Sequence, residues 1–575
     1  MVNSMKHKKT KIRIGRVIAF LVAAILVAVI CFTLIVKLFQ GVGKLISSDE
    51  MYVASNSLTV PLYDLNYNEV STLNRGTKVI ISGDKVVNNE KEYYKINYDK
   101  NDYYILADAL VEEEKDVVLE KEMYVRTSLT LYENLDDIKI KGLIEKGSKV
   151  EILDYDKLNE DGSVNMYKVK YNDQEGYVYG KYLVNNETLA LANYDEDGIY
   201  QIHKKRGDSW GGGDAGDLDY YPYEKPKFED NVMPDEVKAL YMNSGVVSNV
   251  DEYIELAKKS GINAIVVDIK DNTSPAYPAN AMKEYSITNY EHAINSYDTY
   301  KNAIQKIKDA GLYAIGRITV FKDSYYSKDH PEDTIIDTAT GKSYNHDGSY
   351  WPSAYNRDVW EFNVALAIES VKEIGFNEIQ FDYVRFPDRV GSLEKEGKIS
   401  YNNTYNEDKA QAIQRFVMYA CDEIHKYGAY VSIDVFGESA HTYVTAYGQY
   451  WAAISNIADV ISGMPYPDHF YKYEYGFTTP VWTIPYDLLY LWGDEFVMER
   501  QKETPTPAIV RTWVQVYDTG KTPATHYDAD MVSKEISGLY DAGLTGGFMT
   551  WNGSSSLSKY EEVSSAFGKD YWWKK

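Results

Sequence analysis

The feature that most constrains the fold is a regular alternation of apolar, β-branched runs with amphipathic segments after Pro234. The helical segments, such as "QAIQRFVMYACDEIHKYG", place apolar residues three and four positions apart. The eight strand-like runs are "VKALYMN" from Val237, "NAIVVDIK" from Asn263, "LYAIGRITVF" from Leu312, "NEIQFDYVRF" from Asn377, "YVSIDVFG" from Tyr430, "DVISGMPY" from Asp459, "AIVRTWVQ" from Ala508 and "GGFMTWNG" from Gly546. Eight such units predict a (β/α)8 TIM barrel over residues 234–570. An open doubly wound sheet is the alternative, but no G-x-G-x-x-G follows the first run.

The connections in this region are of two kinds. Those from helix to strand are short and contain glycine, as in "KKSGINA" and "DAGLYA", which suits helix C-caps. Those from strand to helix are long, at residues 270–297, 321–355, 387–405 and 464–479. Because the carboxyl ends of barrel strands carry active sites, this elaborated rim is the predicted functional end.

A second constraint is the uncharged apolar run Val17–Val36, which is 20 residues long. About 20 apolar residues are needed for a helix to cross a bilayer. Residues 1–16 carry six Lys and Arg and no acid, which holds that end in the cytoplasm. The sequence therefore predicts a cytoplasmic tail over 1–16, a transmembrane helix over 17–36 and an extracellular remainder. A cleaved signal peptide is the alternative, but its apolar core is shorter and ends in a small-residue site.

Composition excludes some partners. The chain has 61 Lys and Arg against 86 Asp and Glu, a net charge of −25, and nucleic-acid binding requires basic patches instead. The two cysteines, Cys31 and Cys421, suggest no disulfide framework. No cofactor is expected.

An internal repeat with a period near 72 residues follows the apolar run. "MYVASNSLTVPLY" from Met51 corresponds to "MYVRTSLTLYENL" from Met123, and "YYILADALV" from Tyr103 to "GYVYGKYLV" from Gly176. Short alternating strands broken by Gly, Asn and Asp predict two small β-barrels, over 51–112 and 122–185. Residues 186–233 are rich in Gly, Asp and Pro and predict a linker or an irregular cover.

The two copies resemble bacterial SH3-like domains in the "LTVPLY"-like strand, the "RGTKV" turn and the closing "GYVYGKYLV". The resemblance implies two SH3-like barrels with peptidoglycan as a candidate ligand. A plain spacer between the membrane and the barrel is the other interpretation.

Carboxylates end two neighbouring predicted strands. In "NEIQFDYVRFPD", residues 377–388, Asp382 shares a face with Gln380, and in "YVSIDVFGES" Asp434 shares a face with Ser432. A buried carboxylate is costly unless it is paired or used. Since adjacent strands lie about 4.8 Å apart, the two carboxyl groups are expected about 5–7 Å apart. Glu438 lies on the following loop.

Two carboxyl groups that flank one space, one ionised and one protonated, are the requirement for glycosidic bond cleavage. We expect Asp382 to act as the nucleophile or base and Asp434 or Glu438 as the general acid, with a retaining outcome. The other rim residues suit substrate binding, because Arg holds a carboxylate ionised and aromatic rings stack on sugars. The predicted substrate-binding residues are Asp268, Arg317, Gln380, Arg385, Tyr466, Gln515 and Trp551.

Three motifs in the barrel region carry a family resemblance. "FDYVRFP" on strand four, "DVFG" on strand five and the closing "GGFMTWN" are similar to a family of bacterial TIM-barrel glycoside hydrolases usually found on the cell surface. The resemblance covers about 235–555 and implies a hydrolase distantly related to the α-amylase-like barrels, with Asp382 as the strand-four nucleophile. Those barrels place a Glu acid on strand five, and here Asp434 and Glu438 compete for that role.

Three other functions stay open. A metal-dependent polysaccharide deacetylase could use His330, His346, His441 and His469, although no H-E-x-x-H occurs, so no metal ligand is assigned. A Schiff-base lyase would need Lys270 desolvated, but it stands between Asp268 and Asp271. A barrel without turnover would be an envelope scaffold or glycan-binding protein. The preferred prediction is a membrane-anchored extracellular glycoside hydrolase acting on a polysaccharide.

Overall fold

The computed structural model describes residues 50–207 and 210–569. The predicted cytoplasmic tail 1–16 and transmembrane helix 17–36 lie outside these residues, as does position 570. Within the two described stretches, no helix combines the length and apolar character that a membrane crossing requires. The described residues divide into two compact units, one made of 50–121 with 154–167 and the other of 122–153 with 168–569.

The first β-domain is an antiparallel sheet whose strands alternate between core and solvent. In Thr59–Tyr63, for example, Val60 and Leu62 are buried while their neighbours are exposed or partly exposed. These two side chains join a core with Val53 and Ile96. The strands are Glu50–Val53, Thr59–Tyr63, Glu69–Asn74, Lys78–Ile81, Val86–Asn88, Lys91–Tyr98, Asn101–Leu106 and Leu110–Val111.

The second β-domain repeats this topology. Its strands are Glu122–Val125, Leu129–Tyr132, Ile140–Ile144, Lys149–Tyr155, Met166–Tyr171, Gln174–Tyr179 and Leu183–Val184. Their order in the sheet is third, second, sixth, fifth, fourth, first, seventh, which matches the first domain once its additional strand Val86–Asn88 is set aside. The repeat in the sequence is therefore a repeat of sheet topology. The SH3-like identity of these domains stays a prediction.

The C-terminal region forms a nearly closed parallel barrel, which confirms the predicted TIM-like architecture. Neighbouring strands pair in chain order, and strand eight returns to pair with strand one. Strand seven is interrupted at Arg511, so that its first piece pairs with strand six and its second with strand eight. Strands one to eight are Val237–Met242, Ala264–Asp271, Tyr313–Thr319, Glu378–Asp382, Tyr430–Phe436, Val460–Met464, Ile509–Val510 with Thr512–Gln515, and Gly547–Trp551.

The helices of the barrel follow local capping signals. Asp408 and Gln411 form a capping box at the start of Lys409–His425. Gly261 ends Val250–Ser260 in the left-handed conformation with φ 76°, which only glycine adopts freely. The other α-helices of this region are Asn280–Tyr285, Ile287–Glu291, Tyr297–Asp309, Ser324–Asp329, Arg357–Glu369, Gly391–Lys395, Trp451–Ser455, Pro485–Leu491, Met498–Lys502, Ala529–Asp541 and Leu557–Val563.

The segment 186–233 packs against the barrel. It contains the short helices Glu187–Leu191 and Ile199–Lys204, and its buried Tyr220 joins a core cluster with Ala410 and Tyr450. Apolar burial of this kind holds the described part of this Gly- and Asp-rich segment against the barrel.

The helix Lys409–His425 anchors both the second β-domain and this segment through Asp422. The Asp422 carboxylate is buried and pairs with Lys181 Nζ at 2.6 Å. It also accepts hydrogen bonds from the hydroxyls of Tyr182 at 2.8 Å and Tyr223 at 2.6 Å. One acceptor thus serves three donors from two parts of the chain.

Replacing Asp422 by alanine should loosen this anchor. Buried hydroxyls that lose their acceptor cost about 1–3 kcal/mol each, so we expect faster amide hydrogen exchange in the strand Gln174–Tyr179 and a lower urea midpoint. The matched control is Asp309→Ala, which removes an exposed aspartate from the end of another helix. Unchanged exchange in Asp422→Ala would contradict the anchoring role.

Candidate active site

A cavity of 410 Å³ lies at the carboxyl ends of the barrel strands. Five of the predicted site residues line it, namely Arg317, Asp382, Arg385, Tyr466 and Trp551. Its other walls include Asp271, Lys322, Tyr383 and Trp513, which were not predicted at the site, and His469, which was named only for the alternative deacetylase. The cavity is at the end of the barrel that the long loops indicated.

The central contact of this cavity joins Arg317 on strand three to Asp382 on strand four. Arg317 Nη2 lies 2.6 Å and Nε 3.2 Å from Asp382 Oδ2. The other oxygen, Oδ1, accepts the backbone N–H of Tyr383 at 2.6 Å. The ion pair is charge-assisted, and both side chains are nearly fully buried. Asp382 is therefore held in one orientation at the cavity wall.

Arg317 also gathers carboxylates from strand two. Its Nη1 lies 2.8 Å from Asp268 Oδ1 and 3.7 Å from Asp271 Oδ2. A β-bulge between Asp268 and Lys270 allows both aspartates to face the arginine. Simple alternation cannot reveal a bulge, which is why the sequence did not single out Asp271.

Asp268 lies behind Arg317 and does not line the cavity. Its Oδ2 accepts a hydrogen bond from the Tyr241 hydroxyl at 2.6 Å. Burial raises the pKa of Asp268 to about 6, although the Arg317 charge opposes that rise. Arg317 thus lies between Asp268 and the cavity.

Asp434 on strand five is 1% exposed and does not belong to the cavity lining. The indole N–H of Trp513, which does line the cavity, donates to Asp434 Oδ1 at 2.8 Å. The second oxygen, Oδ2, is buried without a hydrogen-bond partner among the described residues. Burial, reinforced by the negative charge of Asp382, raises the pKa of Asp434 well above its usual range. Burial therefore favours the neutral form of Asp434, beside the ion pair of Arg317 and Asp382.

The raised pKa of Asp434 predicts a pH-dependent effect on stability. In the unfolded chain the carboxyl ionises near its ordinary pKa, whereas the folded protein retains the proton to higher pH. Its contribution to stability is present below the unfolded pKa and is lost as pH rises toward the folded pKa. The asparagine of Asp434→Asn stays neutral at every pH and can keep the hydrogen bond from Trp513. The difference in unfolding free energy between the variant and the unsubstituted protein should therefore favour the variant more at pH 8 than at pH 4.5. Urea unfolding at both pH values checks this, and a pH-independent difference would contradict it.

Glu438 does not reach the cavity. It is exposed on the loop after strand five, where its two oxygens accept hydrogen bonds from the hydroxyls of Tyr443 and Tyr447, each at 2.9 Å. The structure therefore brings Asp434, and not Glu438, next to Asp382.

Two predicted substrate-binding amides are also away from the lining. Gln380 is fully buried inside the barrel, with Nε2 3.4 Å from Ser462 Oγ. Gln515 is equally buried, and its Oε1 accepts the backbone N–H of Asp468 at 3.0 Å. Strand alternation correctly predicted that both side chains point into the barrel. How far each lies from the cavity depends on the tertiary structure, which alternation does not describe.

Arg385 lies at the rim among aromatic rings. Its guanidinium carbon is 4.3 Å from the centroid of Phe436 and 4.9 Å from that of Tyr383. Its Nη1 donates to the Phe386 carbonyl at 3.1 Å and contacts Asp388 at 3.3 Å. Arg385 is thus positioned by Asp388, while Arg317 holds Asp382.

Aromatic side chains form one wall of the cavity. Tyr466 and Trp551 stack with centroids 6.4 Å apart, and Trp513 meets Trp551 edge to face at 5.6 Å. Arg317 lies 5.4 Å over the Trp551 ring. Tyr466 and Trp513 are nearly fully buried, whereas Trp551 is partly exposed and is the ring of this wall on which a pyranose can stack.

The residues considered for a Schiff-base lyase and for a metal-dependent deacetylase do not come together at the cavity. Lys270 is buried and pairs with Asp323 at 2.8 Å, not with Asp268 or Asp271, and it does not line the cavity. Of the four histidines named for the deacetylase, His469 alone is among the lining residues. The one metal-like cluster among residues 50–207 and 210–569 is His330 with Glu332 and Asp333, which lies outside the lining.

An arginine-held carboxylate and an aromatic wall at the carboxyl ends of the barrel strands fit a carbohydrate-active enzyme, and a comparison with known families gives the class. The model of a family described as "Putative glycosyl hydrolase domain" matches residues 239–557, more than half of the chain. The chain belongs to this glycosyl hydrolase family.

Solved structures resemble parts of the chain. A hypothetical protein from Ruminiclostridium thermocellum is 31% identical over 34% of this chain and 97% of its own, with a TM-score of 0.29. The PgaB (BpsB) glycoside hydrolase domain from Bordetella bronchiseptica is 12% identical over 57% of this chain and 99% of its own, with a TM-score of 0.41. A family 20 β-N-acetylglucosaminidase is 11% identical over 59% and 70%, with a TM-score of 0.38. No curated protein matches the chain.

Proposed function

We propose that the chain is a membrane-anchored extracellular enzyme that hydrolyses a polysaccharide, with Asp382 as the nucleophile or base and Asp434 as the general acid. The observation that carries the proposal is the difference between the two carboxyl groups. Asp382 is ion-paired with Arg317 at a cavity of 410 Å³, while the neighbouring Asp434 has a raised pKa. Carboxyl groups with opposed protonation states are the pair that glycosidic cleavage uses.

In the proposed reaction Asp434 donates its proton to the oxygen of the leaving sugar, while Asp382 attacks the anomeric carbon or activates a water that does. Asp434 is buried behind the cavity lining in this structure, so the proposal requires its carboxyl group to become accessible when the substrate binds. Trp513 fixes Asp434 Oδ1, so the unpartnered Oδ2 is the atom proposed to carry the proton. The adjacent strands favour close carboxyl groups and a retaining reaction, whereas a separation of about 6.5–9.5 Å would favour inversion.

The choice between Asp434 and Glu438 as acid can be tested by leaving-group rescue. Once a screen of amino-sugar polymers, peptidoglycan and α-glucans has identified a substrate, Asp434→Asn and Glu438→Gln are compared on it. The acid variant should regain activity on an aryl glycoside of the same sugar, because a good leaving group needs no proton. Rescue of Glu438→Gln alone would transfer the role to Glu438.

The anchoring and the partners are part of this proposal. The support for an extracellular location is the apolar run 17–36 with its basic flank, and protease treatment of intact cells tests it. The two β-domains are proposed as spacers or peptidoglycan binders. Binding of a polysaccharide without any turnover would instead support a scaffold function.

A further inference from the structure

A second cavity, of 490 Å³, lies among the second β-domain, the segment 186–233 and the helix Lys409–His425. It is larger than the cavity of 410 Å³ at the strand ends, and the two share no lining residue. Size alone does not locate catalysis, because the carboxyl pair and the strand ends are at the smaller cavity. We call the larger one the flank cavity.

The walls of the flank cavity are fixed by hydrogen bonds. Tyr182 and Tyr223, which both line it, donate to the buried carboxylate of Asp422 at 2.8 and 2.6 Å. Close by, the hydroxyl of Tyr179 donates to Glu423 at 2.9 Å. The second β-domain and the helix are thus tied together directly beside the cavity, which makes it a defined feature of the fold.

Two residues that line the flank cavity, Arg126 and Asp219, each have a buried polar atom, Nε and Oδ2 respectively, without a hydrogen-bond partner among the described residues. Unpaired buried polar atoms are costly and rare in folded proteins. The ring of Tyr221 lies beneath Arg126 at 5.0 Å and Lys146 at 5.4 Å. A donor and an acceptor are therefore available around one aromatic ring.

The charges of the flank cavity exclude a strongly anionic ligand. Three basic residues, Arg126, Lys146 and Arg415, are matched by Glu145, Asp217, Asp219 and Glu407. Arg415 is already paired with Glu407 at 2.5 Å. A phosphate or a polyanion would meet no net positive charge here, whereas a sugar hydroxyl can both donate to Asp219 and accept from Arg126.

The aromatic content of the wall agrees with a sugar ligand. Tyrosine rings bury apolar area and offer a hydroxyl at the edge, which matches the mixed surface of a pyranose. The tyrosines that line the flank cavity are Tyr182, Tyr200, Tyr221, Tyr223 and Tyr405.

We propose that the flank cavity is a non-catalytic binding site for a neutral segment of the polysaccharide. The identity of that ligand rests on the proposed function, while the existence of the site rests on the cavity itself. A second site on the same chain raises the local concentration of polymer at the first. Its expected effect is therefore on affinity for long chains.

The test measures the binding of chito- and malto-oligosaccharides to the full-length chain in detergent, in the Asp382→Asn background, by calorimetry. Arg126→Met keeps the aliphatic stem and removes the donor, and Asp219→Asn is isosteric. Each should weaken the binding of long oligosaccharides about 10-fold, the equivalent of one hydrogen bond. Asp309→Asn, on an exposed helix end outside the cavity, is the matched control. Thermal unfolding shows whether the variants are folded.

The outcomes separate the two proposals. Weakened binding in both variants, without hydrolysis of any sugar by the unsubstituted chain, would retain the flank site and reject the proposed function. Hydrolysis with unchanged binding in both variants would overturn the flank site alone. A cell-wall stem peptide that binds here, and loses affinity in both variants while oligosaccharides do not, would also overturn the saccharide assignment.

Discussion

Asp382→Asn should lower kcat on the polysaccharide by about 10⁴-fold or more, the size of loss seen when an essential catalytic carboxylate is removed. The amide keeps the shape of the side chain, so the Arg317 contact can persist through the remaining carbonyl oxygen. What it loses is the negative charge that attacks or activates water. Polymer binding should change little, because the aromatic wall of Tyr466, Trp513 and Trp551 is untouched. Turnover and equilibrium binding, measured on the same preparation, check both parts.

The control for this experiment is Asp309→Asn. Asp309 is exposed at the end of the helix Tyr297–Asp309 and is outside the cavity lining. A loss of activity in Asp382→Asn that Asp309→Asn does not share would assign the loss to the site. Turnover close to that of the unsubstituted chain in Asp382→Asn would remove Asp382 from the chemistry.

Glu378→Gln should give the largest loss of stability in the barrel. Glu378 on strand four and Arg511, at the break in strand seven, form an ion pair at 2.7 Å with both side chains fully buried. Strands four and seven are not neighbours, so the pair spans the barrel interior. Removing one charge leaves the other buried without its partner, which costs about 3–5 kcal/mol. Urea or thermal unfolding measures the loss.

A double variant distinguishes the pair from simple packing. Glu378→Leu with Arg511→Met replaces both charges by apolar side chains and should be less destabilising than Glu378→Gln alone, because no unpaired charge remains. As a reference, breaking the exposed Lys306–Asp251 pair should have little effect. If the double variant were the less stable one, the pair itself would be the source of stability.

Strand periodicity determined the architecture. The eight apolar runs predicted the strands now seen from Val237–Met242 to Gly547–Trp551, because burial on both faces of a parallel strand leaves a continuous apolar signal. The repeat near 72 residues likewise corresponds to two sheets with one strand order. Both the strand periodicity and the repeat can be read directly from the order of residues in the sequence.

Alternation placed several side chains on the correct face. Asp382, Arg317 and Trp551 line the predicted end of the barrel, and Asp434 is inward near Asp382. Alternation does not show how deep in the barrel a side chain lies. Gln380 and Gln515 were therefore predicted at the site, although both are buried in the barrel interior. Alternation also missed Trp513, which shares a strand face with Gln515 and contacts Asp434.

The sequence by itself determined which residues form strands, which end of the barrel carries the long loops, and that carboxylates stand at that end. Only the tertiary structure decided which arginine pairs with which carboxylate, that a bulge turns Asp271 toward Arg317, and that Asp434 has no polar partner for Oδ2 among the described residues. The reason is physical. Periodicity is a property of one strand, whereas protonation and pairing depend on distances of a few ångströms between strands far apart in sequence.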